Sequence, residues 1–559
     1  MASGSELLRE NVAGQRKLLA ASSTLAAVHQ GGEALVPVLI GVIIDSAIAS
    51  GSASALLVWV LVLAADFAVL SIAYRFSARF AERANQRAAH ELRMRVTERV
   101  LDPRGGAESA RLPGELVNIA TGDARRVGKL QFAIPYGLCA SLAGVLVSAI
   151  ALLRLSIPLG LTVLLGAPLI VFGAQLIGKP LERRSDAEQD EAAFASGVAA
   201  DLVSGLRVLK GIGAERPANA RYHARSRSSL TATLRAARAQ AWHDATILIL
   251  TGLFIAAVAL VGVLLAMHGS LGIGGLVAAI GLAQYLLGPF QAFGRLNGLL
   301  AQARASAGRI AAVLDTPHAV PGGERAPAEP VRGALSLRAV RCGRLSGVDI
   351  EVPAGALLGI VCREPDAAAT LAELSGRARD PESGQVYLDG VPLTELDPAL
   401  LRTGVLSAAH NAELFSGTLA ENVSAAAGGV IEPALRAAGA EEVATTLAQG
   451  TATRIAERGG SLSGGQRQRV ALARALAAEP PVLIVHDPTT AVDTVTEAQI
   501  ARSLREYREG RTTILLTTSP ALLAETESVV FLADGTVTAH GSHAQLVHEN
   551  ADYRTAVLS

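Results

Sequence analysis

The sequence predicts two fold classes in one chain. A six-helix transmembrane domain with long cytoplasmic helical extensions occupies residues 1–314, and an α/β domain occupies 334–559 after a linker over 315–333. Three observations predict it. Long apolar runs recur between residues 15 and 300 and then cease. Arginines crowd two long connections between those runs and avoid the short ones. From residue 334 onward, strand-like runs bounded by Gly, Pro and Asp alternate with helical stretches.

A bilayer-spanning helix needs about 20 mostly apolar residues. Six stretches qualify: Ser22–Ala47, Ala53–Phe76, Phe132–Leu153, Ile157–Ile177, Trp242–Met267 and Ile273–Phe293. The first carries His29 and Glu33. A charge at membrane depth is expensive and normally faces a cavity or a partner helix. Glu33 is read as a structural contact or an interface position, with the lining of a substrate path as the alternative.

Orientation follows from the basic residues. The segment from Arg79 to Lys129 is dense in arginine, and so is 179–238, whereas the short connections 48–52, 154–156 and 268–272 hold only Arg154. The positive-inside rule then places both termini, both long connections and the α/β domain in the cytoplasm, with the helices in a bacterial cytoplasmic membrane. A helical bundle folded in water fails on helix length and on this charge asymmetry. The first 20 residues are polar and charged, so no cleavable signal is expected.

A formal net charge of zero gives no electrostatic footprint for a nucleic-acid partner. Cys139, Cys342 and Cys362 are too few and too scattered for a disulfide framework or a zinc site, and no metal site is expected. Pro317, Pro321, Pro327 and Pro330, with Gly322, Gly323 and Gly333, punctuate the linker.

In the α/β half, "SGVDIEVPAGALLGIV", "PVLIVHDPTT", "TTILLTT" and "SVVFLADGTVTAHG" read as strands, and their alternation with helices argues a largely parallel sheet. The run "LSGGQRQRVALARAL" (462–476) resembles the signature motif of ATP-binding cassette (ABC) transporters, and "TTAVD" (489–493) resembles their D-loop. Glu457, Arg458 and Gly459 resemble the X-loop of exporter-type members, and "LFSGTLAENV" and "GRIAAVLDTP" fit the same family. With six spans, the resemblance covers nearly the whole chain. It implies an exporter-type half-transporter with an ABC-type nucleotide-binding domain, and coupling helices near residues 111–123 and 213–224.

The signature has a physical logic. A helix start presents free N–H groups and a favourable dipole to phosphate. The resemblance implies that Ser463, Gly464, Gly465 and Gln466, with Asp493 of the D-loop, serve ATP held by a second chain. The chain's own site departs from the family pattern. A Walker A loop needs glycines to wrap phosphates, a Lys for their charge and a hydroxyl for Mg2+. Here Cys362, Pro365 and Ala367 stand at the glycines, Ala368 at the lysine and Ala369 at the hydroxyl. No lysine follows Lys210, so none can substitute. His486 and Asp487 stand where the family places Asp and Glu, His410 replaces the Q-loop glutamine, Thr518 replaces the switch histidine, and "VRCGRLSG" lacks an adenine-stacking aromatic.

Loss of one preorganised charge-stabilising group costs about 10²–10³ in rate, so hydrolysis in this chain's own site is not expected. The resemblance and these departures together imply the non-catalytic half of a heterodimer. A catalytically intact ABC half-transporter would be the partner and would hold most of the ATP and Mg2+, and hydrolysis is expected only in that complex. The cargo is read as a small molecule, lipid or peptide moved by alternating access, with import of a metal–siderophore complex as the alternative direction. A rival reading is an inactive membrane receptor or regulatory scaffold, which has no reason to keep γ-phosphate ligands. A further rival, a homodimeric enzyme using Asp487 and Arg363, is set aside.

Overall fold

The computed structural model describes residues 3–48, 51–109, 111–410, 413–425 and 429–558. The chain divides into two compact units, Met1–Thr97 with Pro113–Asp315, and Glu98–Leu112 with Thr316–Ser559.

The first unit is helical. Five of its helices are long and apolar enough to cross a membrane: Arg16–Ile48, Ala53–Val100, Pro113–Leu155, Glu215–Met267 and Ile273–Leu314. The remaining expected span, Ile157–Ile177, opens the helix Ile157–Ser204, of which Ile157–Gly173 is the apolar stretch among the described residues. The count of qualifying spans is therefore five where the sequence suggested six. Helices such as Ala53–Val100 and Ile157–Ser204 continue well past their apolar portions, as the polar connections required.

Small residues let these helices approach closely, as membrane helix pairs require. Ser22 and Ser77 each donate to the other's carbonyl oxygen, at 2.9 and 2.8 Å. A Cβ on Gly41 would lie 2.4 Å from the carbonyl oxygen of Gly274. Asp45 accepts from the N–H groups of Gly274 (2.8 Å) and Gly275 (3.2 Å), satisfying orphan donors at the start of the last helix.

The stretch expected to form the first coupling helix divides between the units. From Pro113 it belongs to the helical unit, where buried Asp123 accepts from Ser306 Oγ (2.9 Å) and from Arg309 Nη2 and Nε (2.6 and 2.8 Å). Residues 98–112 belong to the α/β unit instead. There Arg99 donates to the carbonyls of Gly105 (3.1 Å), Thr316 (2.6 Å) and Pro317 (3.3 Å), and Arg402 donates to Pro103 O at 2.7 Å. Residues 98–112 are thus held by arginine side chains within the α/β unit, just ahead of most of the stretch expected as the first coupling helix. The second expected stretch, 213–224, lies in the helical unit.

The α/β unit is built on a six-stranded sheet. Its order is Thr536–Gly541, Ser528–Ala533, Leu357–Cys362, Thr512–Leu516, Val482–His486, Val405–Ala408. All neighbours are parallel except the edge strand Thr536–Gly541. Every residue of Leu357–Cys362 and of Thr512–Leu516 is buried, as expected for strands covered by helices on both faces. An antiparallel sheet of Leu335–Cys342, Leu345–Val352, Ser383–Leu388 and Val391–Pro392 lies beside it in sequence. Its first hairpin turns over Gly343 and Arg344 alone, with Cys342 paired to Leu345, which leaves no loop for an adenine-stacking side chain.

Arg377, 1 % exposed, ties the linker to this unit. Its guanidinium donates to Leu396 O (2.5 Å), Pro321 O (2.9 Å), Thr394 O (3.3 Å) and the Asp380 carboxylate (3.2 Å). Arg377→Met leaves those acceptors unpaired, so the α/β unit should lose about 3 kcal/mol, measured by chemical denaturation with a domain-specific probe. The Asp102 carboxyl is held well below the usual carboxylate range, chiefly by hydrogen bonds from Arg104 and with a smaller contribution from His318. Its stabilisation is fully present above the ordinary carboxylate pKa of about 3.9 and is lost as pH falls through the lower folded value. Asp102→Asn should thus reduce thermal stability at pH 7, with the gap to wild type closing only in strong acid.

Candidate functional site

The carboxyl ends of parallel strands are where α/β sheets place ligands, and the residues singled out from sequence gather at that edge. The strand Leu357–Cys362 leads into Arg363, whose N–H donates to Leu532 O at 3.0 Å. The helix Pro365–Ser375 begins immediately after Glu364, its N-cap, and Ala367 N–H donates to Glu364 O at 3.0 Å. Pro365 has no N–H to offer. The run of free backbone donors that would cradle a phosphate is therefore absent from this loop.

Side chains close the site as firmly as the backbone does. Ala367 is fully buried and Ala368 is 7 % exposed, both packed in the sheet core with Leu371 and Ile360. A lysine at 368 would have to thread its charge out of that core. The available charges also have the wrong sign for phosphate. Arg363 is paired with Asp534 and with Glu364. Glu364 Oε2 is buried with no hydrogen-bond partner, and Asp366 sits in the first helical turn. The helix dipole is thus already met by the chain's own carboxylates. The Cys362 thiol reports this field, pushed up to about 12 by burial first and then by Glu364 and Asp487.

Next to this loop the structure brings His410, His486 and Asp487 together. The His410 and His486 rings lie 5.5 Å apart, and His486 Nε2 is 3.7 Å from Asp487 Oδ2. Asp487 holds a left-handed φ of 45°, fixed by its N–H donating to Leu516 O at 2.9 Å. Burial pushes the His486 imidazole down, Asp487 partly offsets this, and His410 lowers it further, which favours the neutral ring. Magnesium demands oxygen ligands in near-octahedral array. Two imidazoles and the methyl of Ala369 do not fit it, and no chemistry is routed through Mg2+ here. Thr518 is exposed on the loop after Leu516 and, among the described residues, makes no hydrogen bond or ion pair with this group.

The signature half is intact by comparison. The helix Gly464–Ala477 starts with a capping box, in which Ser463 Oγ accepts from Gln466 N–H (3.3 Å) and Gln466 Oε1 accepts from Ser463 N–H (2.9 Å). Ser463 is exposed and the two glycines are part-exposed, so the start of the helix faces outward. Gly465 is required by packing, since a Cβ there would lie 2.5 Å from Ala491 O. Gln468 fixes the D-loop, donating to Thr490 Oγ1 (2.7 Å) and accepting from Ala491 N–H (2.8 Å). Asp493 caps the helix Thr494–Tyr507, accepting from Thr496 N–H at 3.0 Å. The Glu457 side chain of the X-loop lies outside the described residues.

A profile of the ABC transporter transmembrane region matches residues 19–290, and one of the ABC transporter domain matches 345–490. The chain belongs to the ABC transporter family. It is 31% identical over 530 residues to a multidrug efflux ATP-binding/permease protein of Mycobacterium tuberculosis, covering 93% of this chain and 44% of that protein. This ABC protein therefore spans less than half of that relative. It is 28% identical over 397 residues to an ATP-dependent lipid A-core flippase of Chromohalobacter salexigens, covering 69% of this chain and 68% of the flippase. Its fold matches a bacterial Atm1-family ABC exporter solved with ATP bound, at a TM-score of 0.76 and 23% identity, over 98% of this chain and 99% of that one. ABC transporter domains in general bind ATP with Mg2+, the chemistry from which this chain's own Walker A side departs.

Sequence reasoning singled out His29 and Glu33 but missed the polar residues they meet in the helical unit of this ABC transporter. Glu33 accepts from Gln30 Nε2 (2.7 Å), which also donates to Tyr285 Oη (2.7 Å), and His29 Nδ1 meets Leu70 O at 2.9 Å. Glu33 thus accepts a hydrogen bond within its own helix, and its carboxylate is exposed. Asp66 lies against Gly32 with Oδ2 buried and unpartnered. The signal was a lone carboxylate inside the apolar run Ala53–Phe76.

Restoring the Walker lysine alone should fail. Ala368→Lys is expected to lower the melting temperature and to leave nucleotide binding by the isolated chain undetectable, as read by fluorescent-nucleotide titration.

Proposed function

We propose that this chain is the non-catalytic half of a heterodimeric, exporter-type ABC transporter. The carrying observation is an asymmetry within one unit: the Walker A helix starts at Pro365 with Ala367 and Ala368 buried in the core, whereas the signature helix starts at an exposed capping box. The first feature argues against ATP held by this chain. The second supports donation of Gly464 and Gly465 N–H groups, with Ser463 and Gln466, to ATP and Mg2+ held by an intact partner half-transporter. Asp493, besides capping its own helix, would face that partner across the dimer.

The match to less than half of the longer efflux protein agrees with this chain being one half of a larger machine. The names of the relatives, a multidrug efflux protein and a lipid flippase, support outward movement of an amphipathic or apolar cargo. We place the protein in the bacterial cytoplasmic membrane with both termini inside and six spans, counting the helix from Ile157. The inactive-receptor reading has no comparable support, because it leaves the signature, X-loop and D-loop without a role.

ATPase activity in lipid nanodiscs tests the proposal. The chain alone should be silent, and co-purification with the half-transporter encoded beside it should give turnover. Ser463→Ala or Gly464→Asp in this chain should then reduce that turnover by about 10²-fold or more, whereas Ala369→Gly should leave it unchanged. Robust activity of the chain alone, or full activity in both signature variants, would overturn the reading.

A further inference from the structure

We propose that Gln468 is a positioning residue for ATP hydrolysis, a role that rests on the reading of this chain as the signature-donating half of a transporter. Its amide clasps the D-loop to the signature helix, so that Asp493 and the start of Gly464–Ala477 meet a partner's ATP as one unit.

The two segments touch through small groups. A Cβ on Gly465 would lie 2.5 Å from Ala491 O, and one on Gly464 would lie 3.3 Å from Ala491 Cβ. The D-loop therefore rests on the first turn of the helix. Contact between apolar groups has no direction, so it sets the separation of the two segments without fixing how one is placed along the other.

Gln468 supplies that placement. It stands four residues after Gly464, on the same face of the helix. Its Nε2 donates to Thr490 Oγ1 at 2.7 Å, and its Oε1 accepts from Ala491 N–H at 2.8 Å. The loop turns at this point, with Val492 N–H donating to Thr489 O at 2.9 Å, which makes Thr490 and Ala491 the two central residues of the turn. One amide thus holds both of them, with its donor and its acceptor in use together. A lysine or arginine could only donate and an ionised glutamate could only accept.

The remaining anchors of the loop lead elsewhere. Asp487 N–H donates to Leu516 O at 2.9 Å, which ties the start of the segment to the sheet. Thr489, 2 % exposed, donates through Oγ1 to Glu497 at 2.5 Å, and Asp493 accepts from Thr496 N–H at 3.0 Å. Both of those bonds run to the helix Thr494–Tyr507. Among the described residues, no side chain of the signature helix other than Gln468 makes a hydrogen bond to residues 487–493. Gly464, Gln468 and Ala491 also line one recess of about 310 Å³, which sets the clasp beside the exposed start of the helix. A displacement of 1 Å in groups that face a reacting phosphate costs about 10²-fold in rate. Loss of the clasp should therefore act on turnover, whereas ATP binding belongs to the partner.

The test uses the co-purified pair in lipid nanodiscs. Gln468→Met keeps the length of the side chain and removes both bonds. It should lower kcat by about 10- to 100-fold and leave KM for ATP unchanged. Thr490→Val should lose part of the rate, and Thr490→Ser, which keeps the hydroxyl, should recover it. Gln468→Met with Thr490→Val should be no slower than Gln468→Met alone, because the two share one bond. A second readout needs neither partner nor turnover. In the full chain alone, hydrogen exchange over residues 488–493 should quicken in Gln468→Met while the strand Thr512–Leu516 exchanges as in wild type, whereas general destabilisation would raise both. Wild-type turnover in Gln468→Met, additive losses in the double variant, or unchanged exchange over 488–493 would each overturn the inference. A pair that is silent, or that Ser463→Ala does not slow, would remove the half-transporter reading and this inference with it. A pair slowed by Ser463→Ala but not by Gln468→Met would remove this inference alone.

Discussion

The helix Pro365–Ser375 rests on the central sheet through Ala367 and Ala368, and most of what distinguishes this α/β unit follows from that contact. Small side chains allow the start of the helix to sink into the apolar layer between the strands. A phosphate loop needs the opposite arrangement, a stretch of backbone standing clear of the core with its N–H groups free and a cation rising from the helix start. Burial of a methyl is favourable at about 25 cal/mol per Å², whereas burial of an unpaired ammonium is severely penalised. In this structure the start of the helix is packed into the core.

Electrostatics reinforce what packing begins. Glu364 and Asp366 lie at the start of Pro365–Ser375, Glu364 and Asp487 both act on the Cys362 thiol, and the nearby Arg363 is committed to Asp534 and Glu364. On the signature side the same physics runs the other way, since the start of Gly464–Ala477 is exposed and carries no carboxylate in its first turn. One unit thus contains a helix start flanked by carboxylates and another with none in its first turn.

The helical unit answers to a different constraint. Helices in lipid gain nothing from hiding apolar surface from each other, so close backbone approach and interhelical hydrogen bonds hold them together. The reciprocal Ser22–Ser77 bonds and the Gly41–Gly274 approach serve this purpose. The Gln30–Glu33–Tyr285 group adds polar contacts at positions where a charge is costly unless a neighbour compensates it.

The residue pattern by itself determined the division into a membrane-crossing half and an α/β half, because apolar run length and arginine placement are local properties of the chain. It also determined the loss of the Walker lysine, because an absent residue type is absent in every register, and the survival of the signature, whose capping box spans four consecutive residues. Tertiary structure alone decided the rest. The pairing of His410 with His486 depends on neighbouring parallel strands ending at the same edge, which no local spacing encodes. The buried partners of Asp123 and the arginine clamp on residues 98–112 come from contacts far apart in sequence. Ala368 as a core residue instead of an exposed remnant likewise emerged only once the helix was packed on the sheet. Burial is a property of the assembled core, and a linear pattern specifies which residues can be buried without specifying which ones are.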